Sequence, residues 1–295
     1  MRFLVIVLAV QALIASVFAV LVVTGNVPFV DDASHQADGS ARKVNRFDGA
    51  AAYRLVAGQV AFGPRPAGSE ASRRLAERLR RDLPRGHFQP VPHGLRNVIG
   101  KVPGRGRGSV VVGAHYDTKD IPGFVGAEDG GSGTAVVTQL ARTIKPHRLR
   151  RTVVFALFDG EEAPRGVPDS QFEEAGLRGS KVAARSLKQA RAMILLDFVG
   201  QKGLRIPREG LSDPALWRKL RRGAQLAGVG RVFPDDTFGG VEDDHLPFIR
   251  QGVPSIDLID FDFACWHKTC DDLSVESRRS LDATGEAVYQ LLASL

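Results

Sequence analysis

The sequence predicts an α/β fold: a single domain on a central mixed, mostly parallel sheet with helices on both faces. Three observations lead there. Short apolar, β-branched runs such as Val110-Val111-Val112 and Val153-Val154-Phe155-Ala156-Leu157-Phe158 read as buried strands. They alternate with helix-sized amphipathic stretches, the order of an α/β sheet. Most of them close on, or just before, a carboxylate or imidazole (His115, Asp159, Asp197), and ligands collect at the carboxyl ends of parallel strands.

The chain opens with an almost uninterrupted apolar run from Phe3 to Val23, preceded by Arg2 and followed by Asp31-Asp32. Its length suits a membrane-spanning helix better than a signal h-region, and the preceding positive charge puts the rest outside the cytoplasm. An uncleaved anchor over residues 1–25 is expected. A cleaved signal peptide ending near Val17-Phe18-Ala19 is the alternative, and either implies export to the outer membrane face, the periplasm or the medium. Residues 26–44 are polar and aperiodic and read as a linker, leaving 45–295 as the catalytic domain.

Within that domain, residues 51–60 and 69–83 read as helices on either side of the turn Gly63-Pro64-Arg65-Pro66-Ala67-Gly68. Asn97-Val98-Ile99-Gly100 and Val110-Val111-Val112 read as two strands joined by a Gly/Arg turn, an antiparallel start to the sheet. A helix over 134–144 opens from Gly130-Gly131-Ser132-Gly133. Strand 152–158 follows, then a long Pro-containing loop, a helix near 180–189 and strand 192–197. Helix 213–227, a buried strand through 255–259 and a terminal helix over 281–292 complete the order.

The formal net charge is +7, and the excess is arginine-rich. Arg73, Arg74, Arg78 and Arg218 to Arg222 fall on helical patterns whose leucines recur every four residues, so they read as solvated helix faces. No aromatic interleaving or recognition motif supports a nucleic-acid surface. Contact with anionic lipid is the alternative that the apolar start suggests. The two cysteines, Cys265 and Cys270, bracket His267. In an oxidising compartment they could pair and stiffen the loop presenting that histidine; two buried thiols are the other reading.

The chemistry-bearing residues form a row. Zinc takes nitrogen and oxygen ligands, and a catalytic site leaves one position open. Asp129, Glu162 and His267 would supply such a three-ligand site. His115 and Asp197 could hold a second metal with Asp129 bridging. Glu161-Glu162 is the most informative pair: two adjacent carboxylates cannot both bind one metal comfortably, so one ligates while its neighbour moves protons. His115 and Asp117 alternate and face the same side. Trp266, beside His267, would form an apolar wall for the substrate. The acids of Glu242-Asp243-Asp244 could hold a cationic amine, with His245 donating or orienting.

These segments resemble a known family. His115-Tyr116-Asp117, Gly126-Ala127-Glu128-Asp129, Asp159-Gly160-Glu161-Glu162, Leu196-Asp197 and Trp266-His267 look like the zinc aminopeptidase family M28. Within it, four stretches look most like the glutaminyl-peptide cyclotransferases, or glutaminyl cyclases. They are His115-Tyr116-Asp117-Thr118-Lys119, Phe158 to Ala163, Asp169-Ser170 with Gly176 to Ser180, and Glu242 to Phe248. The resemblance implies one zinc on Asp129, Glu162 and His267, with Glu161 as the acid/base. Asp197 and Asp243 would belong to the network around Glu161, and Trp266 to the pocket wall. The implied reaction converts an N-terminal glutamine of peptides or proteins to pyroglutamate with release of ammonia. A monomer is expected.

Two departures lean towards the aminopeptidases. Gly130-Gly131-Ser132-Gly133 stands where animal cyclases have a Pro-Cys stretch, and residues 163–175 contain no tryptophan. Aminopeptidases would use the same ligands with two zincs and Glu161 as base for a water. A non-catalytic peptide-binding relative is the remaining reading.

Overall fold

The computed structural model describes residues 46–295. The expected anchor and linker lie outside the described residues. No helix among the described residues is long and apolar enough to cross a membrane.

Lys43–Leu295 forms one compact unit. In chain order its main elements are α1 (Gly49–Val60), α2 (Glu70–Asp82), β1 (His87–Val91), β2 (Leu95–Val102), β3 (Ser109–His115), α3 (Gly133–Thr143) and β4 (Thr152–Phe158). Then come α4 (Arg178–Ser186), β5 (Met193–Leu196), α5 (Pro214–Leu226), α6 (Leu246–Arg250), β6 (Ser255–Leu258) and α7 (Arg278–Ser294). The helix starts follow local chemistry. The side chains of Asp48, Ser69, Asp213 and Ser277 accept N–H bonds from the first turns of α1, α2, α5 and α7.

The six strands form one sheet in the order β1-β2-β4-β3-β5-β6. β1 and β2 run antiparallel to their neighbours, whereas β4, β3, β5 and β6 pair in parallel. The period-2 alternation of the strands feeds two cores. Val110, Val112, Val153, Phe155 and Leu157 face α1, α2, α3, α5 and α7. Val111, Val154, Phe158 and Met193 face α4 and α6. Helices therefore cover both faces, as expected.

Two expectations need correction. β2 and β3 are not neighbours, because β4 lies between them and pairs with both. The antiparallel start is instead β1 on β2 on β4. β1 itself was not anticipated. Pro90 masks its strand pattern, and proline is tolerated there because β1 is an edge strand.

The sheet order places a topological switch at β3. The chain goes from β3 out to β4 on one side, then returns to β5 on the other. The crevice beyond the carboxyl ends of β3 and β5 is where such a sheet takes its ligands.

Candidate metal centre and its cleft

The predicted ligands leave all four parallel strands at that crevice, two of them after β3. His115 closes β3, and Asp129 sits in the turn Glu128–Ser132 before α3. Glu162 follows β4, Asp197 follows β5, and His267 lies in the loop after β6. The Asp129 turn depends on Gly130, whose φ is +76°. A Cβ there would stand 2.5 Å from the Asp117 carbonyl oxygen and 3.0 Å from the His115 ring. His267 also has a left-handed φ of +52°, inside a loop closed by the Cys265–Cys270 disulfide.

Two donor groups share Asp129. His267 Nε2 stands 3.4 Å from Glu162 Oε1 and 3.7 Å from Asp129 Oδ2. His115 Nε2 stands 3.3 Å from Asp129 Oδ1 and 3.4 Å from Asp197 Oδ1. Both groups combine one imidazole nitrogen with carboxylate oxygens, the donor set that suits zinc. Burial and the Glu162 charge push the Asp129 carboxyl up to about 6. This crowding of buried carboxylates is what a divalent cation relieves, so the residues fit such an ion.

The backing of the site is extensive. The Asp117 carboxylate accepts the N–H groups of Gly160 (2.9 Å), Glu161 (3.2 Å) and Glu162 (3.3 Å). Asp271 likewise accepts from the N–H groups of Glu128 (2.8 Å) and Asp129 (3.1 Å). Arg65, fully buried, donates to the carbonyls of Tyr116 (3.1 Å) and Gly126 (2.7 Å) and to that of Val125, tying down the chain that leads to Asp129. Sequence reasoning assigned no role to Asp271 or Lys119, nor to Arg65 beyond its turn. The one local signal for Asp271 is its closeness to His267.

Glu161 and Glu162 diverge as adjacent residues. Glu162 Oε2 pairs with Lys119 Nζ at 3.0 Å, while Oε1 faces His267. Burial alone would raise its pKa, but His267 and Lys119 outweigh it and hold the carboxyl low. Glu161 approaches His115 Nδ1 at 4.0 Å and lines the cleft. Burial, with Glu162, Asp243 and Asp244 adding to it against His115, keeps Glu161 well above the usual carboxylate range. For His115 burial disfavours the charged ring, yet Asp197, Asp117 and Asp129 raise its pKa well above the usual value.

The cleft has a volume of about 400 Å³. Asp129, Glu161, Glu162 and His267 line it on one side, and Asp197 and Asp243 also reach it. Its apolar wall includes Phe261 and Trp266, 41% and 42% exposed, with ring centroids 5.1 Å apart. Trp266 stacks on the His267 ring at 4.5 Å.

His245 is the correction here. It is fully buried and does not line the cleft. Its Nε2 lies 3.3 Å from Glu209 Oε2 and its Nδ1 3.8 Å from Asp257 Oδ2, so Asp243 stands at the cleft while His245 is sealed behind it. His245 immediately precedes the short helix α6, which starts at Leu246.

The sequence model of peptidase family M28 matches residues 97–292. The chain is 29% identical over 235 residues to a glutaminyl-peptide cyclotransferase of Bos taurus, covering 65% of this chain and 64% of that protein. It thus spans less than two thirds of that relative's length. Among solved structures, it is similar to the glutaminyl cyclase of Porphyromonas gingivalis, with TM-score 0.74 and 29% identity over 85% of this chain and 99% of that one. It is equally similar to a leucine aminopeptidase precursor from Bacteroides thetaiotaomicron, with TM-score 0.76 and 26% identity over 86% and 100%.

Proposed function

The chain belongs to peptidase family M28, and from that premise we propose that it is a zinc-dependent glutaminyl-peptide cyclotransferase. Its substrates are peptide and protein N-termini carrying glutamine. The observation that carries this reading is the split between two adjacent carboxyls, with Glu162 paired to Lys119 and facing the His267 ring while Glu161 lines the cleft.

Asp129, Glu162 and His267 would hold one zinc. Bound there, it supplies a Lewis acid that polarises the γ-amide carbonyl of the substrate glutamine. Glu161 accepts a proton from the α-amine as that nitrogen bonds to the amide carbon, and returns it to the departing nitrogen, which leaves as ammonia. Burial, with Glu162, Asp243 and Asp244 adding to it, raises the proton affinity of Glu161, which suits a carboxyl that must first take a proton from the amine. Phe261 and Trp266 cover the methylenes of the folded side chain and keep out water, the competing nucleophile. Attack within one residue needs little more than that conformation to be held.

A di-zinc aminopeptidase is the second reading. The convergence of His115, Asp129 and Asp197 favours it, since that trio offers a second metal position beside the first. Glu161 would then deprotonate a water. We also place the catalytic part outside the cytoplasm, behind the apolar run Phe3–Val23. The Cys265–Cys270 disulfide, which suits an oxidising compartment, supports that placement.

One sample separates the two chemistries. The purified protein is assayed for ammonia release from a Gln-peptide and for hydrolysis of a Leu-anilide, and its zinc is counted. Ammonia release with about one zinc per chain is expected. Anilide cleavage with about two overturns the cyclase reading in favour of the aminopeptidase.

A further inference from the structure

The opposite edge of the sheet carries a surface that the chemistry above does not use. Three loops enter parallel strands there: residues 103–108 before β3, 144–151 before β4 and 187–192 before β5. The first brings Arg105 and Arg107, and the third brings Lys188 and Arg191. The middle loop brings Lys145, Arg148, Arg150 and Arg151. Together they hold eight cations and no carboxylate.

The fold joins these loops into one surface. Arg105 N–H donates to Leu149 O (3.1 Å) and Gly106 N–H to Arg150 O (2.6 Å). Arg191 N–H donates to Ser109 O (2.8 Å). The Arg191 and Arg151 side chains both come within 4 Å of where a Cβ on Gly108 would stand. Seven of the eight cations are exposed, and Arg151 is half-buried with its Nε lacking a hydrogen-bond partner. Among the described residues no carboxylate lies within ion-pair distance of any of them. Asp82 pairs with Arg142, and Asp213 caps α5.

We propose that this edge docks on an anionic lipid bilayer, leaving the cleft facing away from the membrane. Two features favour a bilayer over other polyanions. The apolar run Phe3–Val23 is separated from Arg46 by 22 residues, whose fully extended reach is about 75 Å. The described chain also enters on the side away from the cleft. Phe47 N–H donates to Glu286 Oε1 (2.5 Å). Glu286 lies about 13 Å along α7 from Ser277, which bonds to Gly200 at the cleft end. Docked this way, the protein presents its cleft to soluble peptide N-termini. The inference stands independently of which M28 reaction the cleft performs.

The test uses the compact unit Lys43–Leu295, which has its own complete cores and lacks the apolar run. It is sedimented with vesicles of neutral phosphatidylcholine, or of the same lipid with about a third phosphatidylglycerol, in 0.1 M salt. Binding is expected on the anionic vesicles alone and should fade as salt rises, because the contact is electrostatic. Each basic residue near such a surface strengthens binding about fivefold, so R105E/R107E/R148E/R150E should weaken it by on the order of several hundredfold. Circular dichroism and unfolding of that variant should match the parent, and its turnover in solution should be unchanged. Equal binding to both vesicle types, or undiminished binding by the folded variant, overturns the proposal. So does tighter binding to duplex DNA than to anionic vesicles in the same buffer, which would assign the surface to nucleic acid.

Discussion

Replacing Asp117 with alanine tests how the active loop is held. Its buried carboxylate is the acceptor for three consecutive backbone N–H groups, those of Gly160, Glu161 and Glu162. A buried donor left without an acceptor costs about 1–3 kcal/mol. Two of the three bonds are long, at 3.2 and 3.3 Å, which favours the low end of that range. Water entering the vacated space can satisfy one donor. The net loss should be about 3 kcal/mol, or a fall in Tm of about 6–12 °C for a domain of this size. Urea unfolding in EDTA isolates this term from metal binding. Asp117→Asn keeps one acceptor oxygen and should lose about half as much. Because the same turn carries Glu162, zinc affinity should also fall about 10- to 100-fold, as it does when outer-shell partners are removed. An alanine variant within about 0.5 kcal/mol of the parent would show that the carboxylate does not hold the turn.

Two other perturbations have definite signs. Burial, reinforced by the Asp129 charge, pushes the Asp271 carboxyl up to about 8 from 3.8. A raised acid keeps its proton in the fold where the unfolded chain has lost it. Its contribution is therefore fully present below about pH 4 and is lost as pH rises towards 8. Unfolding of EDTA-treated protein across that window should show a shallower fall for Asp271→Asn than for the parent, and equal slopes would refute the assignment. The Cys265–Cys270 bridge closes a loop of sequence separation 5. Changing both cysteines to serine should cost about 2 kcal/mol in denaturant unfolding and weaken zinc binding through His267. Unchanged zinc affinity would mean the loop holds His267 without the bridge.

The parallel strands were legible because each is a short apolar run with a polar residue at its exit. That same feature marked His115, Glu162 and Asp197, while Asp129 was marked by its Gly-rich turn and His267 by the tryptophan and cysteines beside it. The fold brings all five to one crevice. What could not be read is non-local. Nothing near Val98 or Val110 signals that β4 inserts between their strands, because pairing order is decided by distant contacts. Asp117 was legible as a companion of His115, yet its backbone partners lie more than 40 residues away. Arg65 appeared only as part of a turn, and its carbonyl acceptors are contributed by the chain from Tyr116 to Gly126. His245 misled because a histidine among acids reads as exposed chemistry, while its partners Glu209 and Asp257 meet it only in the folded core.

The central claim is that two neighbouring carboxyls divide the work, Glu162 holding metal and Glu161 moving the proton. Zinc content and Gln-peptide turnover measured on Glu161→Gln and Glu162→Ala test it together. Glu161→Gln should keep its zinc and lose at least about 100-fold in kcat, the scale of a lost acid/base. Glu162→Ala should lose the metal itself. Full turnover by Glu161→Gln, or zinc retained in full by Glu162→Ala, would contradict the account.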